Sequence, residues 1–297
     1  MKRYYLWAVA LLFLIAACGK SEKEKAIDRR QHNLRQQQAY REAFKVAVLP
    51  TLDCLPIYLL KDSLLYDTTK VDVRLLAFTS QMDCDTAMAG GSVQASVTDL
   101  IRGERLKRRR HVPLIYLTET NAVWQLMANK QSEVKKPSDL ADKYVAMTRF
   151  SITDYLTARV IKLGKPKYAV YKVQINNVIT RQKMLENNLL DAAWLTEPQS
   201  TQARLRGDRL LYDSSDEAFV PGVIALVGES DIAKQEAFQQ AYDKAVELIN
   251  KKGVKYYGAL IEKYMKVNAK VVDALPKTTF KRIVSPRPAD ILKAQRP

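Results

Sequence analysis

The sequence predicts an α/β protein with largely parallel strands. From Phe44 onward, short β-rich apolar runs alternate with stretches of helical periodicity, and capping residues or glycines stand at the junctions. Phe44–Leu49 (FKVAVL) reads as the first strand, ended by Pro50-Thr51, and a helix-like stretch runs from Leu55 to Leu65. Val71–Phe78 alternates as a second strand. Thr79-Ser80 then caps a helix that stops at Gly90-Gly91. Val93–Val97 is the third strand, Thr98 or Asp99 caps the next helix, and Val112–Leu117 is the fourth strand. A second set follows. Val123–Met127 and Tyr144–Met147 read as strands on either side of the turn-rich Lys135–Asp139. Ser151 and Thr153 are candidate caps of a helix through Leu163, and Ala169–Val173 is another strand. Ile179–Leu189 has helical spacing, Asp191–Leu195 reads as a buried strand, and Val223–Val227 follows Pro221-Gly222. Helical stretches 231–250 and 254–264 precede a Pro-rich end.

The first residues carry a different signal. Lys2 and Arg3 lead into the apolar run Leu6 to Ile15, which is too short to span a bilayer comfortably and has the layout of a secretory signal. Leu14-Ile15-Ala16-Ala17-Cys18 resembles the lipobox of bacterial lipoproteins, which implies cleavage before Cys18, lipid on its sulfur and a membrane partner. The expected location is the cell envelope, lipid-anchored, on the periplasmic or extracellular side. Residues 18–43 are polar and highly charged, so they read as a tether with at most transient helix.

Removing residues 1–17, which hold Lys2 and Arg3 and no acid, leaves 280 residues and lowers the formal charge from +16 to +14. That length supports one large or two medium domains. The charge suggests an anionic neighbour, a membrane surface or acidic ligand rather than nucleic acid. The densest basic cluster, Arg102, Arg105, Lys107, Arg108, Arg109 and Arg110, lacks the interleaved aromatics that stack on bases and reads as a solvated helix face or a docking surface. Cys54 and Cys84 are left as a disulfide or two buried thiols. With only His32 and His111, a histidine triad or zinc site is hard to build, and no phosphate loop or dinucleotide fingerprint is present. No metal or cofactor is expected, and no enzymatic activity.

Four segments in order carry a family resemblance: Val46–Asp53 with Pro56-Ile57-Tyr58, Met88–Asp99, Ser138–Ala146, and Leu190–Pro198 with its Asp-Ala-Ala and Glu-Pro pairs. Over residues 44–265 the chain resembles solute-binding lipoproteins of ABC importers, in the branch that takes up nitrate, sulfonates, taurine and thiamine-precursor pyrimidines. Cys54 and Arg149-Phe150-Ser151 depart from the pattern, the latter replacing a glycine-serine turn. The resemblance implies a two-lobed periplasmic-binding-protein-like fold of type II with a ligand cleft between the lobes. Lobe one would be residues 44–120 plus 221–297, lobe two 121–220, with hinges near 119–122 and 218–222. The implied partners are a small-molecule ligand and an ABC permease, and the protein is expected to be a monomer. Pyrimidine- and menaquinone-pathway enzymes share the fold and are the alternative, with a protein-binding surface lipoprotein as a third.

Ligands of open α/β sheets bind beyond the carboxyl ends of the strands. That rule selects Thr51, Asp53, Cys54, Phe78, Thr79, Ser80, Thr98, Asp99, Thr118 and Asn121 in lobe one. In lobe two it selects Arg149, Ser151, Thr153, Asp154, Asn176, Trp194 and Glu197, with Trp124 near the hinge. Capping alone also accounts for Thr79, Thr98, Ser151 and Thr153, and core packing for either tryptophan. Asp99 opposite Arg149 and Ser151 would suit a compact zwitterion or amino-heterocycle better than a bare oxyanion.

Overall fold

The computed structural model describes residues 21–228 and 231–296; the signal and the Cys18 motif lie outside the described residues. The chain divides into two units, residues 1–43 and 44–297. The described part of the first is one helix, α1 (Glu22–Glu42), with no buried residue. Glu24 N donates to Ser21 Oγ (3.2 Å) and Ser21 N to Glu24 Oε2 (2.7 Å), a reciprocal cap. The absence of apolar side chains suggested a tether; the cap and a run of good helix formers make it continuous helix without a core.

The second unit holds two five-stranded sheets. Sheet one contains β1 (Phe44–Val48), β2 (Val73–Ala77), β3 (Ala95–Asp99), β4 (Leu114–Glu119) and β10 (Gly222–Val227), in the order β2-β1-β3-β10-β4. Sheet two contains β5 (Gln125–Ala128), β6 (Tyr144–Met147), β7 (Tyr171–Gln174), β8 (Ala192–Leu195) and β9 (Arg209–Asp213), in the order β7-β6-β8-β5-β9. β1 is parallel to β2 and β3, and β6 to β7 and β8. β10 and β5, the first strands after each crossing between the sheets, lie antiparallel to both neighbours. The parallel expectation therefore fails where the chain changes sheets, because a strand arriving from the other side enters in the opposite direction. β9 was not legible; its RLLYD run is only partly buried at a sheet edge.

The helices that matter to the site follow strands: α2 (Leu55–Asp62), α3 (Gln81–Ala89), α4 (Leu100–Arg110), α5 (Ile152–Gly164), α6 (Val178–Glu186) and α7 (Gln199–Leu205). α8 (Ile232–Lys252), α9 (Gly258–Met265), α10 (Ala269–Ala274) and α11 (Pro288–Gln295) complete the unit. The expected caps resolve to one residue each. Ser80 accepts from Met82 N, Asp99 from Arg102 N and Ser151 from Thr153 N. Val46, Ala47 and Val48 of β1 are fully buried, each large apolar side chain contributing about 1.5–3 kcal/mol. Among the described residues, no helix is long and apolar enough to cross a membrane.

Candidate functional site

The carboxyl ends of β1, β3, β6 and β8 converge on a cavity of ≈ 70 Å³ between the two sheets. On the sheet-one side, Thr51 and Asp53 follow β1, and Thr98 and Asp99 end β3. On the other, Ser151 and Thr153 start α5, Asn176 precedes α6, and Trp194 is the last residue but one of β8; Trp124 borders the cavity beside the crossing. The space is that of about five ordered waters, so the two walls are closed on each other.

Hydrogen bonds across the mouth hold that arrangement. Val178 N donates to Thr79 O (2.9 Å) and Asn177 Nδ2 to Thr79 Oγ1 (2.7 Å). Leu52 N donates to Glu197 O (2.7 Å), and Gln199 Nε2 to Pro50 O (2.7 Å). Asp99 receives a backbone N–H from Ile152 of the facing wall as well as from Arg102 of its own helix.

The walls differ in charge. Burial raises the Asp53 carboxyl, against hydrogen bonds from Thr51, its own backbone and Thr120. Burial also pushes Asp99 up to about 6, with Arg102 pulling the other way. Facing them is Arg181, 4 % exposed, with burial lowering its guanidinium to about 10, so it stays cationic at neutral pH. Its Nε donates to Ile175 O (3.0 Å), Nη1 to Trp194 O (2.9 Å), and Nη2 to Thr148 Oγ1 (2.7 Å) and Ile175 O (2.6 Å). Two buried oxygens on the cavity wall, Thr98 Oγ1 and Gln199 Oε1, have no hydrogen-bond partner. Such atoms cost about 1–3 kcal/mol each when unmet, and a ligand inside the cleft would satisfy them.

A family model described as NMT1/THI5 like matches residues 52–253. The chain belongs to the NMT1/THI5-like family. Among solved structures it is similar to the periplasmic aliphatic sulphonate binding protein SsuA of Escherichia coli, at 19% identity and TM-score 0.67, covering 86% of this chain and 89% of that one. It is also similar to the ligand binding component of an ABC-type import system from Staphylococcus aureus, solved with zinc bound, at 17% identity and TM-score 0.72, covering 85% and 89%. A third is the periplasmic nitrate-binding protein NrtA of Synechocystis PCC 6803, at 12% identity and TM-score 0.67, covering 77% and 68%. These likenesses establish the periplasmic-binding-protein fold. No curated protein matches the sequence.

Six expected site residues of this NMT1/THI5-like chain lie off the cavity. Cys54 is fully buried in the core, its Sγ 3.5 Å from Leu49 N; burial raises its thiol well above the ordinary range. Cys84 is likewise a buried free thiol. Phe78 packs on the sheet-one core. Thr79 is exposed and serves the cross-mouth contact. Thr118 is buried, donating to Glu119 O (3.0 Å) and accepting from Val284 N (3.0 Å). Arg149 turns outward, its carbonyl accepting from Arg102 Nη1 (3.2 Å). Glu197 pairs with Arg204 instead of facing the cavity. Of the further candidates, Ser80 caps α3, Asn121 donates to Thr279 O (3.4 Å), and Asp154 pairs with Lys172 (2.9 Å).

Sequence reasoning missed Gln81, Thr148, Arg181 and Gln199 on the cavity wall. Arg181 left a readable trace. It sits one turn before the fully buried Leu185, on the stripe that packs inward, and near the positive end of α6, where a cation is disfavoured. A guanidinium in so poor a place has a local reason, here the carbonyls of Ile175 and Trp194.

Proposed function

We propose that this chain is a solute-binding protein that closes around one small organic molecule and presents it, chemically unchanged, to an ABC importer. The observation that carries the reading is the closed cavity itself. Two buried carboxylates on one wall face a buried guanidinium on the other, and Thr98 and Gln199 each leave an oxygen unpaired. Family membership supports it, as do the sulphonate- and nitrate-binding functions named for the structural neighbours.

The lobes of this reading are residues 44–120 plus 221–297 and 121–220. The crossings run side by side, with Thr120 N donating to Gly222 O (2.8 Å), so both would bend together. The ligand is a compact zwitterion or amino-heterocycle. Its anionic or acceptor group lies toward Arg181, its N–H donors toward Asp53 and Asp99, and an apolar face against Trp124. Anchoring is by lipid on Cys18, and the protein acts as a monomer.

Thermal-shift screening of the processed protein against vitamins, pyrimidines, sulfonates and amino acids tests the reading. A ligand at one hundred times its Kd stabilises by about 2.7 kcal/mol. A ligand recovered altered after incubation, or no stabilisation by any class, would falsify it. Mass spectrometry checks the anchor: Cys18→Ser is expected to remain unprocessed or be released, and an unmodified N-terminus beyond Cys18 in the wild type rules lipidation out.

A further inference from the structure

The basic run that the cleft does not use lines a second recess. A groove of ≈ 550 Å³ opens on the outer side of the contact between the sheets. One side is α4, where Arg102, Arg105, Arg109 and Arg110 share a face at helical spacing; the other is the turn after β6, with Arg149 and Phe150. Arg102 is neutralised by the buried Asp85, its Nε 2.6 Å from Oδ2. The other four guanidinia have no carboxylate within ion-pair distance among the described residues, and no other acid lines the groove. Arg105 stacks on the Phe150 ring at 3.9 Å, and Arg149 lies 5.6 Å from the same ring. Phe150 is 49% exposed and held at φ 58°, a conformation that favours glycine. Burial, and after it the charges of Arg109, Arg102 and Arg108, depress the Arg105 guanidinium.

We propose that this groove is a binding site for a soluble multivalent phosphate anion of the pyrophosphate class. Arg105 and Arg109 would hold it from one side and Arg149 from the other. Guanidinium forks match phosphate oxygens in pairs, and a multivalent anion offsets repulsion that a single chloride cannot. The groove is walled from both sheets' halves, so a flat membrane reaches only its rim; a free anion reaches its floor. The site rests on the closed arrangement of the two halves, not on what the cleft binds.

Isothermal titration of pyrophosphate into the full chain at low ionic strength is the test. Binding is expected to weaken at least tenfold in Arg105→Ala/Arg109→Ala and in Arg149→Ala, and to fall with added salt. Phe150→Ala is expected to weaken it several-fold. Lys251→Ala/Lys270→Ala, which removes as much charge from exposed positions elsewhere, is expected to stay within twofold of wild type. Equal losses in the lysine and arginine pairs overturn the site, because net charge then explains the binding. No pyrophosphate binding also overturns it, even where phosphatidylglycerol vesicles still bind through the same arginines.

Discussion

The two walls of the cleft are built from the same kind of strand end, yet they handle buried charge in opposite ways. On the sheet-two wall, Arg181 Nε, Nη1 and Nη2 all donate to oxygens, and Ser151, Thr153 and Thr148 bond one another: Ser151 Oγ donates to Thr148 O (2.7 Å) and Thr148 N to Thr153 Oγ1 (2.9 Å); Gln199 Oε1, beside the contact to Pro50, is left unmet. The sheet-one wall keeps two carboxylates that burial drives toward the neutral form, and a hydroxyl, Thr98 Oγ1, with nothing to bond. A wall whose cation and hydroxyls are met is preformed. A wall whose valences are unmet gains most from a guest. Ligand should therefore contribute its largest increment on the sheet-one side, while mutations on the sheet-two side should act first on folding.

The largest effect breaks that contrast if it is absent. Arg181→Met removes the cation but leaves the carbonyls of Ile175 and Trp194 and the Thr148 hydroxyl buried without their donor. The expected loss is about 3–5 kcal/mol, since unmet buried acceptors cost about 1–3 kcal/mol each, or roughly 10 °C in Tm for a unit of this size. Circular dichroism melting reads the loss, and hydrogen exchange should place it in β6 to β8. Arg181→Lys is expected to recover only part, because an ammonium cannot serve divergent acceptors as a fork does. A fully stable Arg181→Met would mean that the wall does not depend on its cation.

Asp99→Asn sharpens the contrast from the other side. Asparagine still caps α4, its Oδ1 accepting from Arg102 N, so the fold is expected to persist. Losing the charge that the proposed ligand's donor would meet is expected to weaken binding by about two orders of magnitude, near 3 kcal/mol. The pH dependence follows with its sign. The folded pKa, about 6, lies above the ordinary 3.8, so the folded chain keeps a proton that the unfolded chain has lost. Stability without ligand thus falls as pH rises through about 6, by up to about 3 kcal/mol for this group. Arg102 and Asp85 are the charged neighbours that tune it. Asp99→Asn should remove this group's slope in melts between pH 4 and 7; Asp53, Asp85 and Asp208, whose carboxyls burial also raises, add slopes of the same sign. An unchanged slope would show that Asp99 is already ionised and satisfied.

Much of the fold was legible because it rests on local pattern: apolar runs at β1, β3 and β8, polar caps at Ser80, Asp99 and Ser151, and a family-like order of segments. The strand-end rule brought Thr51, Asp53, Thr98, Asp99, Ser151, Thr153, Asn176 and Trp194 to the two facing walls of one cavity, because β1, β3, β6 and β8 end there. What failed was direction. Arg149 and Ser151 are two residues apart, but the αL turn at Phe150 sends Arg149 outward and Ser151 inward. Glu197 ends in a salt bridge with Arg204, seven residues on. Gln199 reaches Pro50 across the mouth, a contact separated by 149 residues that no local pattern announces.

Gly222 tests the seam where the walls join. A Cβ there would run into Thr120 Oγ1 and come within 3.0 Å of Ala122 Cβ, on the neighbouring crossing. Gly222→Ala should therefore push the crossings apart, costing about 1–3 kcal/mol as overpacking. Small-angle scattering without ligand should show a more open average shape than wild type. An unchanged scattering profile with an unchanged Tm would mean that the crossings separate freely.

The smallest expected effect lies at the mouth, where neither wall's chemistry is involved. Thr79→Val keeps the side-chain volume and the backbone carbonyl that Val178 N reaches, but removes the oxygen that Asn177 Nδ2 bonds. Asn177 continues to cap α6 through Oδ1, so the local helix stays intact. The bond is exposed, so its net contribution is about 0.5–1 kcal/mol. That amount should appear as a two- to fivefold weaker ligand affinity, carried by faster dissociation, because in the proposed closing motion the bond forms only when the halves meet. Melting without ligand should move by less than about 2 °C. If the affinity falls by a hundredfold instead, the mouth and not the cavity walls governs capture, and the contrast between the walls loses its functional meaning.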